Sequence, residues 1–353
     1  MGRLTGPTAV NGYWKSRYTG EHNMTKTLGL AMIVLGMFLA VLTAQAQQAG
    51  AGGAAGAKEL TLDLGNGASM KLVLIPAGRF IMGSPETEGG RDNNEVQHEV
   101  TISKPFYMGI THVTVDQFAA FVKDTGYHTD AENAGYSYSF ELKDGNLVVN
   151  PTLKGCSWRN PAFGQKGDHP VVQISWNDTE AFCAWLSKKT GKTVTLPTEA
   201  QWEYACRAGT TTAYPWGNNL DDGKGWANLA DQSLRKVAPN KPWGFFNWDD
   251  GFAFTSPVGS YKANAFGLYD MIGNAYEWCQ DRYGDYEKGP VTDPSHIAAN
   301  ANTPRHTIRV LRGATWFTCN PRECRSAARL KIDHSDRFGD YGFRVAVVAA
   351  GVD

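Results

Sequence analysis

The chain has 353 residues, a formal net charge of −1 and 42% hydrophobic residues, which is enough for one large or two small domains with a buried core. Near-neutral charge, with no Lys/Arg cluster beyond isolated pairs, excludes nucleic acid as an expected partner. The absence of a G-x-S-x-G elbow, a P-loop, a dinucleotide fingerprint and an H-E-x-x-H pair removes the commonest hydrolase, nucleotide-binding and zinc-protease classes.

Residues 1–23 carry no apolar run. From Met24 the chain reads MTKTLGLAMIVLGMFLAVLTAQAQQ. Lys26 precedes an apolar run from Leu28 to Leu42, and Ala44-Gln45-Ala46 follows as a small-x-small triplet. These are the three parts of a secretory signal peptide. A membrane span needs about 20 apolar residues, and this run is shorter, so no membrane anchor is expected after cleavage. No Cys follows the run to carry a lipid. Residues 1–46 are therefore assigned to an N-terminal extension plus signal peptide. Residues 47–58, mostly Gln, Ala and Gly, are assigned to a flexible linker. Residues 59–353 are assigned to a globular domain, expected in the periplasm or outside the cell.

Within that domain, strands are expected at Lys71–Ile75, Val100–Ile102, Arg309–Arg312 and Gly342–Val348. A helix over Val115–Lys123 puts Phe118, Phe121 and Val122 on one face, with Asp116 in the first turn. A second, over Asp178–Lys189, groups Ala181, Phe182, Trp185 and Leu186, with Asn177 or Asp178 as its cap. A third spans Thr198–Ala208 and opens on a capping box made by Thr198 and Gln201. Eleven Trp and 39 Gly around so few regular segments predict an α+β domain with many turns on aromatic anchors. Trp176, Trp202, Trp216 and Trp278 read most simply as core. Tryptophans and tyrosines could also line a cleft suited to a peptide or carbohydrate. Arg325, Arg329 and Arg344 lie among small or apolar residues and read as buried partners of carboxylates such as Glu199, Glu203 or Glu277.

Eight blocks in order carry a family signature: LIPAGRFIMGS (Leu74–Ser84), HPVVQISWNDTEAFCAWL (His169–Leu186), LPTEAQWEYACRAGT (Leu196–Thr210), YPWGN (Tyr214–Asn218), ANAFGLYDMIGNAYEWCQDRY (Ala263–Tyr283), RVLRGATW (Arg309–Trp316), RSAAR (Arg325–Arg329) and GFRVA (Gly342–Ala346). Together they resemble the formylglycine-generating enzyme, or sulfatase-modifying factor, family. The resemblance implies a single α+β domain of the C-type-lectin-related kind with little regular secondary structure. The family includes copper oxidases that convert a peptide cysteine to formylglycine, periplasmic siderophore-tailoring proteins, and sulfoxide synthases. The last carry an extra iron-binding domain for which this chain has no room. A fold alone does not choose among such activities. Cys319-Asn320-Pro321-Arg322-Glu323 approaches the C-x-P-x-R target of such oxidases but ends in Glu323, so the chain does not read as a sulfatase.

In the oxidases two cysteines spaced C-x4-C bind Cu(I), a soft ion suited to thiolates. By resemblance Cys319 and Cys324 would be those ligands. Thr315 would be a nearby hydroxyl where the family has Ser, and Trp316 would shape the pocket. The substrate would be a protein cysteine or a small metabolite, oxidised with O2. The pair sits one residue later after Gly313-Ala314-Thr315 than in the oxidases, and nearer to RSAAR. The other reading is a disulfide. Cys206 matches a family cysteine bonded to the position held here by Ser326. Cys324, two residues earlier, shares that face in an extended segment. Cys183 matches another disulfide cysteine, whose partner position is Val345. Cys156 and Cys279 have no assigned pairing. The resemblance further implies structural Ca2+ in two loops. The first has the carboxylates of Asp270 and Glu277 with the carbonyls of Gly273 and Ala275. The second has Asn228 and Asp250 with the carbonyls of Leu229 and Phe252. Two functional classes stay open: a copper-dependent oxidase, and a non-catalytic binding or assembly module on the same scaffold, with the siderophore-tailoring branch as a further alternative.

Overall fold

Helices in this protein are set by their first turns. In the computed structural model, which describes residues 59–240, 244–295 and 307–349, Thr114, Thr129, Ser175 and Thr198 each accept a hydrogen bond from the third backbone N–H of the helix they precede. In each case the third side chain returns the bond to the cap residue's own N–H, which satisfies two of the donors a helix start leaves unpaired. The helices are Val115–Thr125, Asp130–Ala134, Trp176–Thr190 and Glu199–Arg207, and the first three end on left-handed Gly126, Gly135 and Gly191. The cap of the third is Ser175, not Asn177 or Asp178. Asp178 is the returning partner, accepting from the Ser175 N–H at 2.8 Å. The expected leader (1–46) and linker (47–58) lie outside the described residues.

Asp178 is wholly buried and also accepts from the Asp130 N–H and the Tyr127 hydroxyl, each at 3.0 Å. Burial, reinforced by the neighbouring Asp130 carboxylate, pushes its carboxyl up to about 6 against the pull of these N–H donors. Between about pH 4 and 6 the folded chain therefore keeps a proton that the unfolded chain has released, so unfolding free energy falls as pH rises through that window. Asp178→Asn is expected to flatten this fall, whatever it does to absolute stability. Urea midpoints across the window check it, and an unchanged slope refutes it.

A five-stranded antiparallel sheet holds, in spatial order, Glu59–Gly65, Ala68–Ile75, Phe106–Gly109, Ala346–Val348 and Val194–Thr195. A four-stranded sheet runs Arg329–Asp333, Ile308–Arg312, Tyr276–Arg282 and Tyr341–Gly342, its last pair parallel. A third, of three strands, pairs Val291–Thr292, His98–Ile102 and Gly78–Met82. The hairpin Tyr136–Lys143/Asn146–Lys154 turns on Asp144 and Gly145, both at positive φ (51° and 73°), the geometry that matches the twist of the strands. Three expected strands lie inside longer ones. The fourth, Gly342–Val348, is instead divided between two sheets. Val345 and Phe343 accept from Gly109 and Val113 there, and Arg344 turns inward.

These layers form one α+β domain. Trp202, Trp278 and Trp316 are wholly buried. Trp176 and Trp216, expected in the core, are only half-buried. Trp176 donates to the Cys279 carbonyl at 2.9 Å while Arg309 covers its face at 3.8 Å, and Trp216 stacks on Tyr214 with centroids 5.2 Å apart. Among the described residues no helix is long and apolar enough to cross a membrane.

Candidate functional site

The chain leaves strand Ile308–Arg312 at Gly313, whose φ of +85° suits glycine and where a Cβ would stand 3.2 Å from the Met271 carbonyl. The turn that follows is closed by side chains. The buried Thr315 hydroxyl donates to Asp340 Oδ2 at 3.1 Å and accepts from the Phe317 N–H at 3.2 Å. Thr318 Oγ1 accepts from the Thr315 N–H at 3.1 Å. Trp316 is a wall of the core: its indole N–H donates to the Gly339 carbonyl at 3.3 Å, and Phe140, Phe163, Phe254 and Phe317 meet its ring edge-on at 4.8–5.6 Å.

Cys319 follows, partly exposed. Asn320 then caps a single 3₁₀ turn, Pro321–Cys324, by accepting from the Arg322 N–H. Cys324 ends it fully buried in the main hydrophobic cluster, its sulfur 3.8 Å from the Asn320 carbonyl. Burial first, then the charges of Glu323 and Cys319, hold its thiol well above the usual range. The side chain that returns to Thr315 is that of Thr318, one residue before Cys319. Cys206 and Cys324 are both thiols, so the expected disulfide between them is not formed in this structure. Cys206 is wholly buried, and burial pushes its thiol up to about 12.

Behind the turn lies a set of buried ion pairs. Arg344 meets Glu277 through two bonds of 2.6 and 2.7 Å, and Arg329 meets Glu199 through two of 2.8 and 2.6 Å. Arg325 pairs with none of the carboxylates expected for it. Its partners are Glu95, at 2.6 and 2.7 Å, and Glu88, at 2.8 Å. Glu203 is taken by Arg207 and by Arg312, which also donates to the carbonyls of Ser326, Ala327 and Ala328. The RSAAR segment is thus clamped from both sides.

The two loops expected to hold calcium abut: a Cβ on Gly273 would lie 2.4 Å from the Asn228 carbonyl. They differ in chemistry. In the first, Glu277 accepts from Arg344 twice and from the Trp202 indole at 2.7 Å, with His112 Nε2 at 3.2 Å. The Ala275 carbonyl accepts from His112 Nε2 at 2.9 Å, and the Gly273 carbonyl from the Ala275 N–H at 2.9 Å. Asp270 Oδ2 accepts from the Gly259 N–H at 2.7 Å, while Asp270 Oδ1 and His112 Nδ1 are buried without hydrogen bonds. In the second, each oxygen of Asp250 accepts one backbone N–H, from Leu229 at 3.0 Å and Phe252 at 2.9 Å. Asn228 Nδ2 donates to the Phe254 carbonyl at 2.9 Å, which leaves the buried Asn228 Oδ1 with no donor. His112, Thr318, Asp340 and Glu95 carry no motif that the sequence reading could use.

A surface cleft between these elements is lined by Pro215, Trp216, Trp226, Lys262 and Asn264, with the Lys262 ammonium 5.8 Å from the centre of the Trp226 ring. Trp216 and Trp226 are both half-buried.

Residues 64–349 match the family model described as sulfatase-modifying factor enzyme 1-like domain. The chain is 35% identical over 298 residues to formylglycine-generating enzyme of Streptomyces coelicolor, covering 78% of this chain and 88% of that one. It is 36% identical over 275 residues to inactive C-alpha-formylglycine-generating enzyme 2 of Bos taurus, covering 72% and 79%. The solved structure of PvdO from Pseudomonas aeruginosa matches it with a TM-score of 0.63 at 31% identity, covering 82% of this chain and 98% of that one. The chain therefore belongs to the formylglycine-generating-enzyme-like family of sulfatase-modifying factor domains.

Proposed function

We propose that this chain is exported and works outside the cytoplasm as a formylglycine-generating-enzyme-like binding module without the family's copper oxidase chemistry. One observation carries the reading: Cys324 is fully buried in the hydrophobic core while Cys319 is partly exposed. A Cu(I) site needs two deprotonated sulfurs free to converge on the ion. Here burial opposes the thiolate of Cys324, and Thr318 faces the Thr315 hydroxyl. A scaffold of this family without the activity has a precedent in the Bos taurus relative, which is itself named inactive. The signal-peptide pattern at Met24–Ala46 supports export with no anchor retained. The ligand is a peptide or small molecule, for which half-buried Trp216 and Trp226 offer stacking faces beside Lys262. Structural Ca2+ fits the second loop, where Asn228 Oδ1 lacks a donor and Asp250 supplies a carboxyl. Asn228, Asp250 and the carbonyls of Leu229 and Phe252 would hold it and so fix two loops that no strand pairs.

The test is a Cu(I) titration of the reduced protein against a chromophoric competitor, beside a Cys319→Ser variant. Wild type and variant are expected to bind copper equally weakly, and a cysteine peptide supplied with Cu(I) and O2 is expected to stay unconverted by mass spectrometry. Stoichiometric Cu(I) binding that Cys319→Ser abolishes overturns the proposal.

A further inference from the structure

We infer that His112 stands in for the divalent cation of the first loop, so that the turn from Asp270 to Glu277 is closed by an imidazole N–H and a guanidinium instead of calcium. The accounting is by lone pairs. A carboxylate offers about four acceptor sites. Three of those of Glu277 are met, by Arg344 Nε at 2.6 Å, Arg344 Nη2 at 2.7 Å and Trp202 Nε1 at 2.7 Å, and His112 Nε2 stands 3.2 Å away. Of the two carbonyls that would complete a calcium shell, Ala275 accepts from the same His112 nitrogen and Gly273 from the Ala275 N–H. Calcium binds oxygen at about 2.3–2.6 Å and takes six to eight of them. It would compete for the Ala275 carbonyl, which the imidazole already bonds, in a pocket where His112, Glu277 and Asp270 are all buried. The positive charge an ion would bring is already there in Arg344, which is wholly buried and also donates to the carbonyls of Gly109 and Tyr269.

In the neighbouring loop the two oxygens of Asp250 accept backbone N–H groups instead of a guanidinium, and Asn228 Oδ1 there, like Asp270 Oδ1 in the first loop, has no donor. The expected capacity is therefore one calcium per chain where the family signature implies two. Only that count rests on the second-loop reading above; the assignment of His112 does not.

Equilibrium dialysis with calcium as the probe, on the mature protein, tests this with no need for an activity. Wild type is expected to bind one ion and Asp250→Asn none. His112→Glu, which replaces the N–H donor by an oxygen ligand, is expected to bind one more than wild type and to gain a calcium-dependent rise in Tm. Two ions in wild type, or one retained by Asp250→Asn, overturns the assignment. No ion in wild type removes the second-loop reading alone, and His112→Glu must still gain a site. If that variant does not fold, the Asp250→Asn result decides.

Discussion

Replacing Arg344 by Met is expected to lower the unfolding free energy by about 3–5 kcal/mol, the range for breaking a buried ion pair from one side. The guanidinium is wholly buried and makes two bonds to Glu277 and one each to the carbonyls of Gly109 and Tyr269. Without it, Glu277 keeps the Trp202 N–H but no counter-charge, in a site closed to water. Most of the cost is the stranded carboxylate, so Arg344→Met with Glu277→Gln is expected to recover a large part of it. Urea unfolding of the single and double variants measures both. A loss within about 1 kcal/mol, as for exposed pairs, would mean that water reaches the pair and the site is not sealed.

Glu203→Gln is expected to cost a similar amount for the opposite reason, since it strands cations. The Glu203 carboxylate receives the Gly83 N–H and Arg207 Nε, each at 2.9 Å, and Arg312, whose guanidinium is wholly buried over Trp202 with 5.1 Å to the ring centre. The amide keeps the shape and removes the charge, leaving two guanidiniums with less than they need, so the loss is again about 3–5 kcal/mol. Arg312 also donates to the carbonyls of Ser326, Ala327 and Ala328, so loosening it loosens the segment between Cys324 and Arg329. The buried thiols of Cys206 and Cys324 are therefore expected to react faster with a thiol reagent in this variant under native conditions. Unchanged labelling alongside the stability loss would separate the ion pair from the rigidity of the turn.

What the sequence made legible was local. The Thr198–Gln201 box, the apolar face of Phe118, Phe121 and Val122, and the family blocks each rest on residues a few positions apart, and each stands in the fold as read. The Ser175 cap was shifted because its partner is an Asp, which shortens the pattern usually sought. The Asp144-Gly145 hairpin, with Tyr136, Tyr138, Phe140 and Leu142 alternating before its turn, was legible in the sequence but not among the strands expected from it. Long-range pairing was not legible. Arg325 and Glu95 are 230 residues apart, and His112 reaches the Ala275 carbonyl across 163, with no spacing rule to join either pair. The cysteine spacing was readable, but which way each sulfur points depends on the 3₁₀ turn that Asn320 caps and Pro321 begins.

Ala346–Val348 lies inside the five-stranded sheet, between Phe106–Gly109 and Val194–Thr195, and Val348 donates to the Thr193 carbonyl at 3.2 Å. Synthesis is vectorial, so the strand that joins those two segments is made after both of them. Until it arrives, each presents an open edge able to pair with another chain. A nascent or truncated chain that stops short of Ala346 is left with the seam unzipped in the middle of its sheet. The last strand is thus the latch on the domain, and the interval before it closes is the period in which the chain is most exposed to misassembly and to proteases.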